Sequence, residues 1–407
     1  MKWFGETIVI IIIIILSGIS TVISVGPDIF YTTAQRIANY KYPVETHEVQ
    51  TSDGYLLTIF RIPHSRKESN STNNQRPIVF LQHGILSSSD VFILNGPDNA
   101  LAYLLADAGF DVWLGNNRGN TYGRKHVNIS ADDTKFWNFS FNEIGMRDLP
   151  AMIDYVLHTT NQEKLHYVGH SQGTTIFFVL MSVIPSYNSK IKTAHMLAPV
   201  VYLDQAQTPI ALIGGPLLGH PSIFSDLVAN HELLPDYDAI AIFGSVFCVD
   251  GSWLQWICAD PLFITGGWDP KHLNYTLLPL ALETHPAGTS TTSFLHFFQL
   301  SESGYFRKYD YEKEKNNKIY GQDSPPNYNL TNVVSPVRLY YGDNDYFSSL
   351  DNIKRIEKIL PNIAESYNVP VKAWNHFDFV WAIDVKKYIN DKVIKTALHF
   401  EKTKKQL

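Results

Sequence analysis

The sequence predicts an α/β fold in which a mostly parallel, doubly wound sheet is interrupted by an inserted, largely helical cap. Short apolar segments typical of buried strands alternate with helix-length segments, for example Pro77–Gln82 and then Asn99–Ala108. The motif Gly-His-Ser-Gln-Gly at 169–173 joins one such strand to one such helix. Between Asp204 and Pro326 the alternation stops, and the chain becomes rich in Leu, Ile, Phe, Trp, Gly and Pro.

The composition of the chain excludes several classes of protein. Its 407 residues, of which 45% are hydrophobic, can bury a large core, so we expect one large domain with an insertion or two domains. The net charge of −6 provides no basic excess for binding nucleic acid. Aromatic residues at 13% and charged residues at 18% are typical of a folded chain, not of a disordered one.

The amino terminus has the pattern of a secretory signal peptide. Lys2 precedes an unbroken apolar run, Ile8–Leu16, after which small and polar residues dilute the hydrophobicity. This run has the length of a signal-peptide core, whereas a membrane-spanning helix needs about 20 apolar residues. We therefore expect a signal peptide over residues 1–25. A retained membrane anchor is the alternative, because apolar residues continue as far as Val25.

A secretory route gives meaning to two further features of the sequence. Five Asn-x-Ser/Thr sequons become candidate N-glycosylation sites, at Asn70, Asn128, Asn138, Asn274 and Asn329. The chain has two cysteines, Cys248 and Cys258. In an oxidising compartment their spacing favours one local disulfide over two free thiols. We expect no metal site here, because the cysteines have no clustered histidine partners.

The predicted elements follow the chain in a regular order. A turn at 51–54 joins the first two strands in a hairpin, and the polar segment 66–75 is expected to be an exposed loop. Asp98 and Asp148 are expected to start helices. The predicted strands are Glu45–Gln50, Tyr55–Arg61, Pro77–Gln82, Phe110–Leu114, Leu165–Val168, Lys192–Leu197, Val337–Tyr341 and Val369–Ala373. The predicted helices are Asn99–Ala108, Asp148–His158, Thr174–Ile184, Asn352–Leu360 and Val385–Phe400.

The division into core and cap follows from this order. Strands and helices alternate before the cap-like segment and resume after it. We therefore expect a core made of residues 26–203 and 327–407, interrupted by a cap over residues 204–326.

The segment Leu165–Thr175 predicts a nucleophile on a sharp turn. Apolar positions lead into Gly169, Ser171 and Gly173, and an apolar run of helix length follows until Pro185. A strand, tight turn and helix in this order expose the serine hydroxyl, with the serine in a strained conformation. Both glycines are needed, because a Cβ at either position would clash with the neighbouring strand or helix. The three-residue pattern also occurs by chance, so the prediction depends on its flanking elements.

A serine hydroxyl is a poor nucleophile near neutral pH, so Ser171 needs a base and an acid that orients the base. In such a sheet the partners follow in the order Ser, Asp or Glu, His, on loops after strands. His376 lies on the loop after the last predicted strand, and both Asp343 and Asp345 follow Val337–Tyr341. We expect one of the two aspartates to orient the histidine and the other to be a turn residue.

The oxyanion formed by the attack needs two N–H donors that are fixed in advance. We expect one from Gln172, the residue after the nucleophile, and one from Ile85, on the loop after the third strand. His83 and His170 flank these turns and are expected to shape them. Asp378 is expected to brace the histidine loop by a structural hydrogen bond.

Several blocks of sequence together point to a known family. The blocks are Thr51–Tyr55, Arg61–Pro63, Phe80–Gly84, Val112–Asn116, Leu165–Thr175, His285–Ser290 and Asn375–Phe379. With these blocks in this order, nearly the whole mature chain resembles the acid lipases, the group that includes gastric lipase and lysosomal acid lipase, within the α/β-hydrolase fold. The order of the blocks is far more specific than the serine motif alone.

The resemblance implies a function and a set of reacting residues. It implies hydrolysis of neutral-lipid esters at a lipid–water interface by Ser171, Asp345 and His376. The family's acid lies three residues after a glycine, and Gly342 with Asp345 has this spacing. We expect a secreted or lysosomal protein, routed by the signal peptide, that needs no cofactor; no obligate protein partner is implied.

The resemblance extends to the oxyanion donors and the cysteines. It implies that Ile85 and Gln172 supply the oxyanion N–H groups, although family members often have Leu where Ile85 stands. A third cysteine often found in the family's cap is missing here, which leaves Cys248 and Cys258 to pair with each other.

Two other functions remain open from the sequence. The same site could serve a carboxylesterase of soluble esters, or the fold could serve a catalytically silent lipid-binding protein. We also expect the segment Leu233–Phe263 to act as a lid with an apolar inner face, ordinary cap core being the alternative. Its apolar residues are Ile240, Ile242, Phe243, Val246, Phe247, Trp253, Leu254, Trp256 and Ile257.

Overall fold

A mostly parallel sheet forms the centre of the molecule. The computed structural model describes residues 31–68, 75–235 and 238–404, so the predicted signal peptide and Asn70 lie outside the described residues. The strands are β1 (Glu45–Gln50), β2 (Tyr55–Ile62), β3 (Ile78–Gln82), β4 (Asp111–Leu114), β5 (Lys125–His126), β6 (Leu165–His170), β7 (Ile191–Leu197), β8 (Glu232–Leu233), β9 (Thr289–Ser290), β10 (Val337–Tyr341) and β11 (Ile363–Asn368).

Within these residues, nine strands form one sheet in the order β1-β2-β4-β3-β6-β7-β10-β11, and β5 pairs with β2. The strands β1 and β2 form the predicted antiparallel hairpin, and β2 runs antiparallel to β4. All neighbours from β4 to β11 are parallel. The predicted α/β class with a mostly parallel sheet is confirmed.

Helices fill the connections between the strands. They are α1 (Thr33–Asn39), α2 (Leu101–Asp107), α3 (Phe141–Glu143), α4 (Leu149–Thr160), α5 (Gln172–Val183), α6 (Pro209–Leu218), α7 (Ile223–Val228), α8 (Asp238–Phe247), α9 (Trp256–Gly266), α10 (Leu278–Thr284), α11 (Thr291–Ser303), α12 (Lys313–Tyr320), α13 (Leu350–Ile359), α14 (Asp378–Trp381) and α15 (Asp391–Lys404).

Successive residues of the central strands pack into two different cores. In β3, Phe80 joins a core that contains residues of α4 and α5, whereas Val79 and Leu81 join a second core with residues of α2 and α15. Side chains of a strand point alternately to its two faces, so helices cover both faces of the sheet. All five residues of β3 are buried, as the continuous apolar run predicts.

The prediction of a last strand at Val369–Ala373 is wrong. The strand lies earlier, at β11, and the chain turns after Val369. Pro370 has no N–H to donate to a ladder, so the apolar residues around it cannot continue the sheet. In β11 half-buried and exposed residues alternate, which suits an edge strand and hides the strand from a search for apolar runs.

Two predicted helix starts are also wrong. The residue before α2 is Ala100, which makes no side-chain capping bond, so Asp98 does not cap this helix. Asp148 ends a π-helical turn that runs directly into α4, and the helical stretch begins earlier, at α3, with Ser140 as its cap. The carboxylate of Asp148 instead accepts hydrogen bonds from the backbone and the guanidinium of Arg118. A long-range ion pair therefore replaces the expected cap.

Between β7 and β10 the chain is largely helical, with α6 to α12 and the short pair β8 and β9. A disulfide joins Cys248, which follows α8, to Cys258 in α9. Trp253 is 83% exposed and Trp256 is 57% exposed, so these two side chains do not form the apolar inner face expected of the segment. Within the described residues, no helix is long and apolar enough to cross a membrane.

The sequons differ in their surroundings. Asn128, Asn138 and Asn329 are exposed. Asn274 is half-buried, and its side-chain N–H donates to the side-chain oxygen of Asn95 over 3.2 Å. Glycosylation at these positions stays a prediction, and we expect Asn274 to be the least accessible of the four.

Candidate active site

Ser171 lies on a sharp turn between β6 and α5. Its backbone angles are φ 52° and ψ −120°, a conformation that residues with a side chain rarely adopt. A Cβ on Gly169 would lie 2.8 Å from the carbonyl carbon of Gly173, and a Cβ on Gly173 would lie 2.4 Å from the carbonyl oxygen of Gln82. Only glycine therefore fits at either position, as the sequence pattern predicts.

His376 connects Ser171 to a carboxylate. Its Nε2 lies 2.8 Å from the Oγ of Ser171, and its Nδ1 lies 2.9 Å from the Oδ2 of Asp345. The Oδ1 of Asp345 also accepts the N–H groups of Phe347 and Ser348, each over 2.9 Å. A carboxylate held in this way accepts a hydrogen bond from Nδ1–H of the imidazole, which leaves Nε2 free to accept the serine proton.

The structure separates the two competing aspartates. Asp343 accepts a hydrogen bond from the side chain of Asn368 over 2.7 Å and forms an ion pair with Lys372. The hydrogen bond from Lys372 lowers the pKa of the Asp343 carboxyl below its usual range. Asp345 faces His376, whereas Asp343 is bound to partners on the neighbouring turn.

Asp378 braces the loop that carries the histidine. Its Oδ2 accepts the N–H of Asn375 over 2.7 Å, and its own N–H donates to the side chain of Asn375 over 3.0 Å. Burial, together with the nearby Asp269 and Asp384, raises the pKa of Asp378 well above its usual range. The side chain thus holds the turn on which His376 stands.

Two other histidines lie beside the site in fixed positions. The Nε2–H of His170 donates to the carbonyl oxygen of His376 over 3.0 Å, and burial lowers the pKa of His170 to about 3. The Nδ1–H of His83 donates to the carbonyl of Gly84 over 2.7 Å, while its Nε2 accepts the N–H of Asn117 over 3.2 Å. Both are neutral braces, in line with the structural roles expected for them.

The loop after β3 lies directly against Ser171. A Cβ on Gly84 would lie 3.0 Å from the Cβ of Ser171, so the loop passes in van der Waals contact with the serine. Gln172 is the first residue of α5. In the described part of the chain, neither the N–H of Ile85 nor that of Gln172 has an acceptor within the protein. Both groups border the serine and can donate to a bound oxygen.

An apolar cavity of about 410 Å³ opens onto the serine and the histidine. Volumes of about 300 to 1,000 Å³ are typical of sites for small organic ligands. The wall is built mostly by hydrophobic side chains from the largely helical segment and from α14, among them Ile210, Leu282, Phe294, Phe297, Phe298 and Trp381. Among the described residues, no group of His, Cys, Asp and Glu could hold a metal ion.

Comparisons with known proteins show the family to which the chain is similar. Residues 33–96 match the model of a partial α/β-hydrolase lipase region, and residues 77–243 match that of the α/β-hydrolase fold. The chain is 44% identical to Lipase 3 of Drosophila melanogaster, over 95% of this chain and 98% of that protein. It is 38% identical to gastric triacylglycerol lipase of Homo sapiens, over 91% of each chain.

The chain belongs to the acid lipase family. A third relative, lysosomal acid lipase/cholesteryl ester hydrolase of Homo sapiens, is 34% identical over 93% of each chain. The solved structure of DcsB with its substrate analogue has a TM-score of 0.51 at 13% identity, over 88% of this chain and 98% of that one, and is similar in fold. The protein is thus a carboxylic ester hydrolase with an α/β-hydrolase fold.

Sequence reasoning missed several residues of this acid lipase site. The three phenylalanines of α11 at positions 294, 297 and 298 line the cavity, and their spacing places them on one face of the helix. That spacing is also the usual signal of a core-facing helix, so it could not reveal a cavity. Ser87 and His285 also line the cavity. The block His285–Ser290 contributes to the family resemblance, but the sequence assigns it no role.

Proposed function

We propose that the protein is a lipase that hydrolyses neutral-lipid esters, of the triacylglycerol or cholesteryl ester class, through an acyl-enzyme on Ser171. The observation that carries the proposal is the chain of hydrogen bonds from Asp345 through His376 to Ser171, which ends at an apolar cavity. The substrates named for the gastric and lysosomal relatives support the substrate class.

The first half of the reaction forms the acyl-enzyme. The Oγ of Ser171 attacks the ester carbonyl carbon while Nε2 of His376 accepts the hydroxyl proton. The negative charge that develops on the carbonyl oxygen is stabilised by the N–H groups of Ile85 and Gln172. The bond to the alcohol oxygen then breaks, and His376 returns its proton to that oxygen.

The second half of the reaction releases the acid. His376 accepts a proton from a water molecule, which attacks the acyl carbon. The bond to the Oγ of Ser171 then breaks, and His376 returns its proton to that oxygen. The carboxylate of Asp345 keeps its hydrogen bond with Nδ1–H and stabilises the protonated imidazole. The apolar wall of the cavity suits the hydrocarbon chain of the acyl group, because burial of each CH₂ contributes about 0.8 kcal/mol.

We infer that the protein acts at a lipid–water interface through the outer face of the helices around the cavity. Ile210 and Ala211 of α6 line the cavity. On the same helix Leu212, Ile213 and Leu217 are 60%, 62% and 69% exposed. On α7, Ile223, Phe224 and Leu227 are 79%, 73% and 67% exposed. An apolar surface of this kind is a hallmark of a lipid or protein contact, and its place beside the cavity favours lipid.

The secretory route belongs to the same proposal. The apolar run in residues 1–25 supports a signal peptide, and the named gastric and lysosomal relatives support a secreted or lysosomal location. Amino-terminal sequencing of the protein from the medium of expressing cells would give the cleavage point. A first residue before Gly18 would contradict the predicted segment.

The decisive experiment is a hydrolysis panel of emulsified triacylglycerol, cholesteryl ester and a dissolved short-chain ester between pH 4 and 8, with Ser171→Ala as the control. The proposal expects hydrolysis of at least one emulsified lipid by the wild type. Hydrolysis of the short-chain ester alone would instead favour a carboxylesterase of soluble esters. Inactivity toward every ester would favour a lipid-binding protein.

A further inference from the structure

The segment that follows α10 contacts the oxyanion loop, by which we mean residues 84–87. The hydroxyl of Ser87 lies 2.8 Å from Nε2 of His285, although 198 positions separate the two residues in the chain. The N–H of Ala287 donates to the carbonyl of Leu86, also over 2.8 Å. Both contacts are made just after Ile85, whose N–H we assign to the oxyanion. Two successive residues of the oxyanion loop are therefore tied to a distant segment.

The oxyanion loop needs such external support. Leu86 has a φ of 56°, in the left-handed region that residues with a side chain avoid. A conformation of this kind persists only where the surrounding structure fixes it. From the core side, the side chain of Asn120 donates to the carbonyl of Ser87 over 3.3 Å. The hydrogen bond that His285 accepts from Ser87 and the one that Ala287 donates to Leu86 hold the loop from the segment after α10.

The hydrogen bonds around His285 define its tautomer. The hydroxyl of Thr284 donates to the carbonyl of Leu280 over 3.0 Å, so its oxygen accepts the Nδ1–H of His285 over 2.9 Å. Nε2 then carries no proton and accepts the hydroxyl of Ser87. The ring also packs edge-on against Trp381, with the ring centres 5.1 Å apart. The imidazole is thus fixed in position and in protonation.

This arrangement persists in acid. Burial lowers the pKa of His285 to about 3, with the neighbouring His83 as a second cause. The imidazole therefore stays neutral well below pH 5, and its Nε2 remains an acceptor for Ser87.

We propose that His285 is a positioning residue for ester hydrolysis: it accepts the hydrogen bond of Ser87 and so keeps the N–H of Ile85 directed at the oxyanion. The inference rests on the proposed function and assigns a role to the block that begins at His285. Neither side chain exchanges a proton with the substrate. A donor fixed before the reaction stabilises the transition state more than the bound substrate, so a loosened loop lowers kcat with little change in KM.

The test compares kcat and KM of variants on a dissolved p-nitrophenyl ester of a short acid. For Ser87→Ala we expect kcat to fall by about 10-fold or more, as for a weakened oxyanion donor, with KM changed by less than about 2-fold. Ser87→Thr retains the hydroxyl and should restore most of the kcat. Ser65→Ala is the matched control, because Ser65 is another buried serine whose hydroxyl binds one side chain, that of Asp107. This control should keep the wild-type kcat.

A double-variant cycle tests whether the two residues act together. We expect His285→Ala to lower kcat as Ser87→Ala does, and the double variant to lose little more than either single variant. An unchanged kcat in Ser87→Ala, an equal loss in Ser65→Ala, or strictly multiplicative losses in the cycle would overturn the inference. An active wild type with any of these results leaves the proposed function standing, whereas a wild type without esterase activity overturns both.

Discussion

At the scale of single residues, the choice between Asp343 and Asp345 depends on how the loop after β10 turns. The two side chains are separated by one residue, and apart from the family's spacing to Gly342 nothing in the sequence distinguishes an orienting acid from a turn residue. In the structure the pair with Lys372 directs Asp343 outward, while two backbone N–H groups hold Asp345 toward His376. The distinction comes from contacts that the linear sequence does not contain.

The first expected result concerns these two aspartates. Asp345→Asn should lower kcat by up to about 10⁴-fold, because an amide at the orienting position favours the wrong tautomer of His376. Asp343→Asn weakens contacts with Asn368 and with the exposed Lys372 that do not involve His376, and should leave kcat within about 2-fold of the wild type. Steady-state kinetics on a dissolved ester checks both. A dead Asp343 variant beside an active Asp345 variant would reverse the assignment.

The second expected result concerns Asp378 and the pH dependence of the free energy of unfolding. Its folded pKa is raised well above the ordinary value, so the folded state binds a proton more tightly than the unfolded state, whose aspartates titrate near pH 4. The contribution of Asp378 to the free energy of unfolding is therefore fully present below about pH 4 and is lost as the pH rises through the folded pKa.

The variant Asp378→Asn should flatten this dependence. The amide can accept the N–H of Asn375 and donate toward Asp269, as the protonated acid does. Thermal unfolding between pH 4 and 7 should show a smaller loss of Tm than in the wild type. Asp351→Asn, at an exposed position, is the control and should follow the wild type. Parallel curves for all three proteins would contradict the buried, protonated state.

At the scale of elements, the sequence predicts best where a local pattern decides the structure. The predicted bounds of β1 and β10 agree with the structure residue for residue, because each strand is bounded by clear turn signals. β11 was missed because an edge strand with alternating polarity lies next to a more apolar segment that contains Pro370. The prediction that Asp148 starts a helix is wrong because its partner, Arg118, is distant in sequence.

The third expected result concerns the exposed apolar face of α6. Leu212→Ser with Leu217→Ser should weaken hydrolysis of an emulsion more than hydrolysis of a dissolved short-chain ester, because the lost side chains contact lipid only at the interface. The control Val334→Ser changes an equally exposed apolar residue that precedes β10, at the edge of the sheet opposite the site. Equal losses on both substrates would mean that the α6 face serves the fold and not the interface.

At the scale of the whole molecule, the parallel sheet places the reacting residues although they lie far apart in sequence. Ser171, Asp345 and His376 all follow strands or turns at the same edge of the sheet, so the order of elements predicts that the serine, the histidine and one of two aspartates meet. The cavity could not be predicted in this way. Its walls come from α6, α10 and α11, whose packing depends on tertiary contacts between apolar residues of no distinctive pattern.

The helical segment between β7 and β10 and the oxyanion loop are distant in sequence and meet only in the folded protein. The block His285–Ser290 is visible in the sequence, but its contact with Ser87 depends on how α10 lies across the cavity. This contact makes the helical segment between β7 and β10 a direct neighbour of the oxyanion loop.

The central claim is that Ser171, activated by His376, is the nucleophile. The most direct measurement is labelling with a long-chain alkylphosphonate ester followed by mass spectrometry of the peptides, with Ser171→Ala as the matched variant. We expect one adduct in the wild type, on Ser171, and neither adduct nor ester hydrolysis in a folded Ser171→Ala protein, since loss of such a serine costs about 10⁶-fold in kcat. An adduct on another residue, or a Ser171→Ala variant with a native circular-dichroism spectrum that retains more than a few per cent of the activity, would contradict the claim.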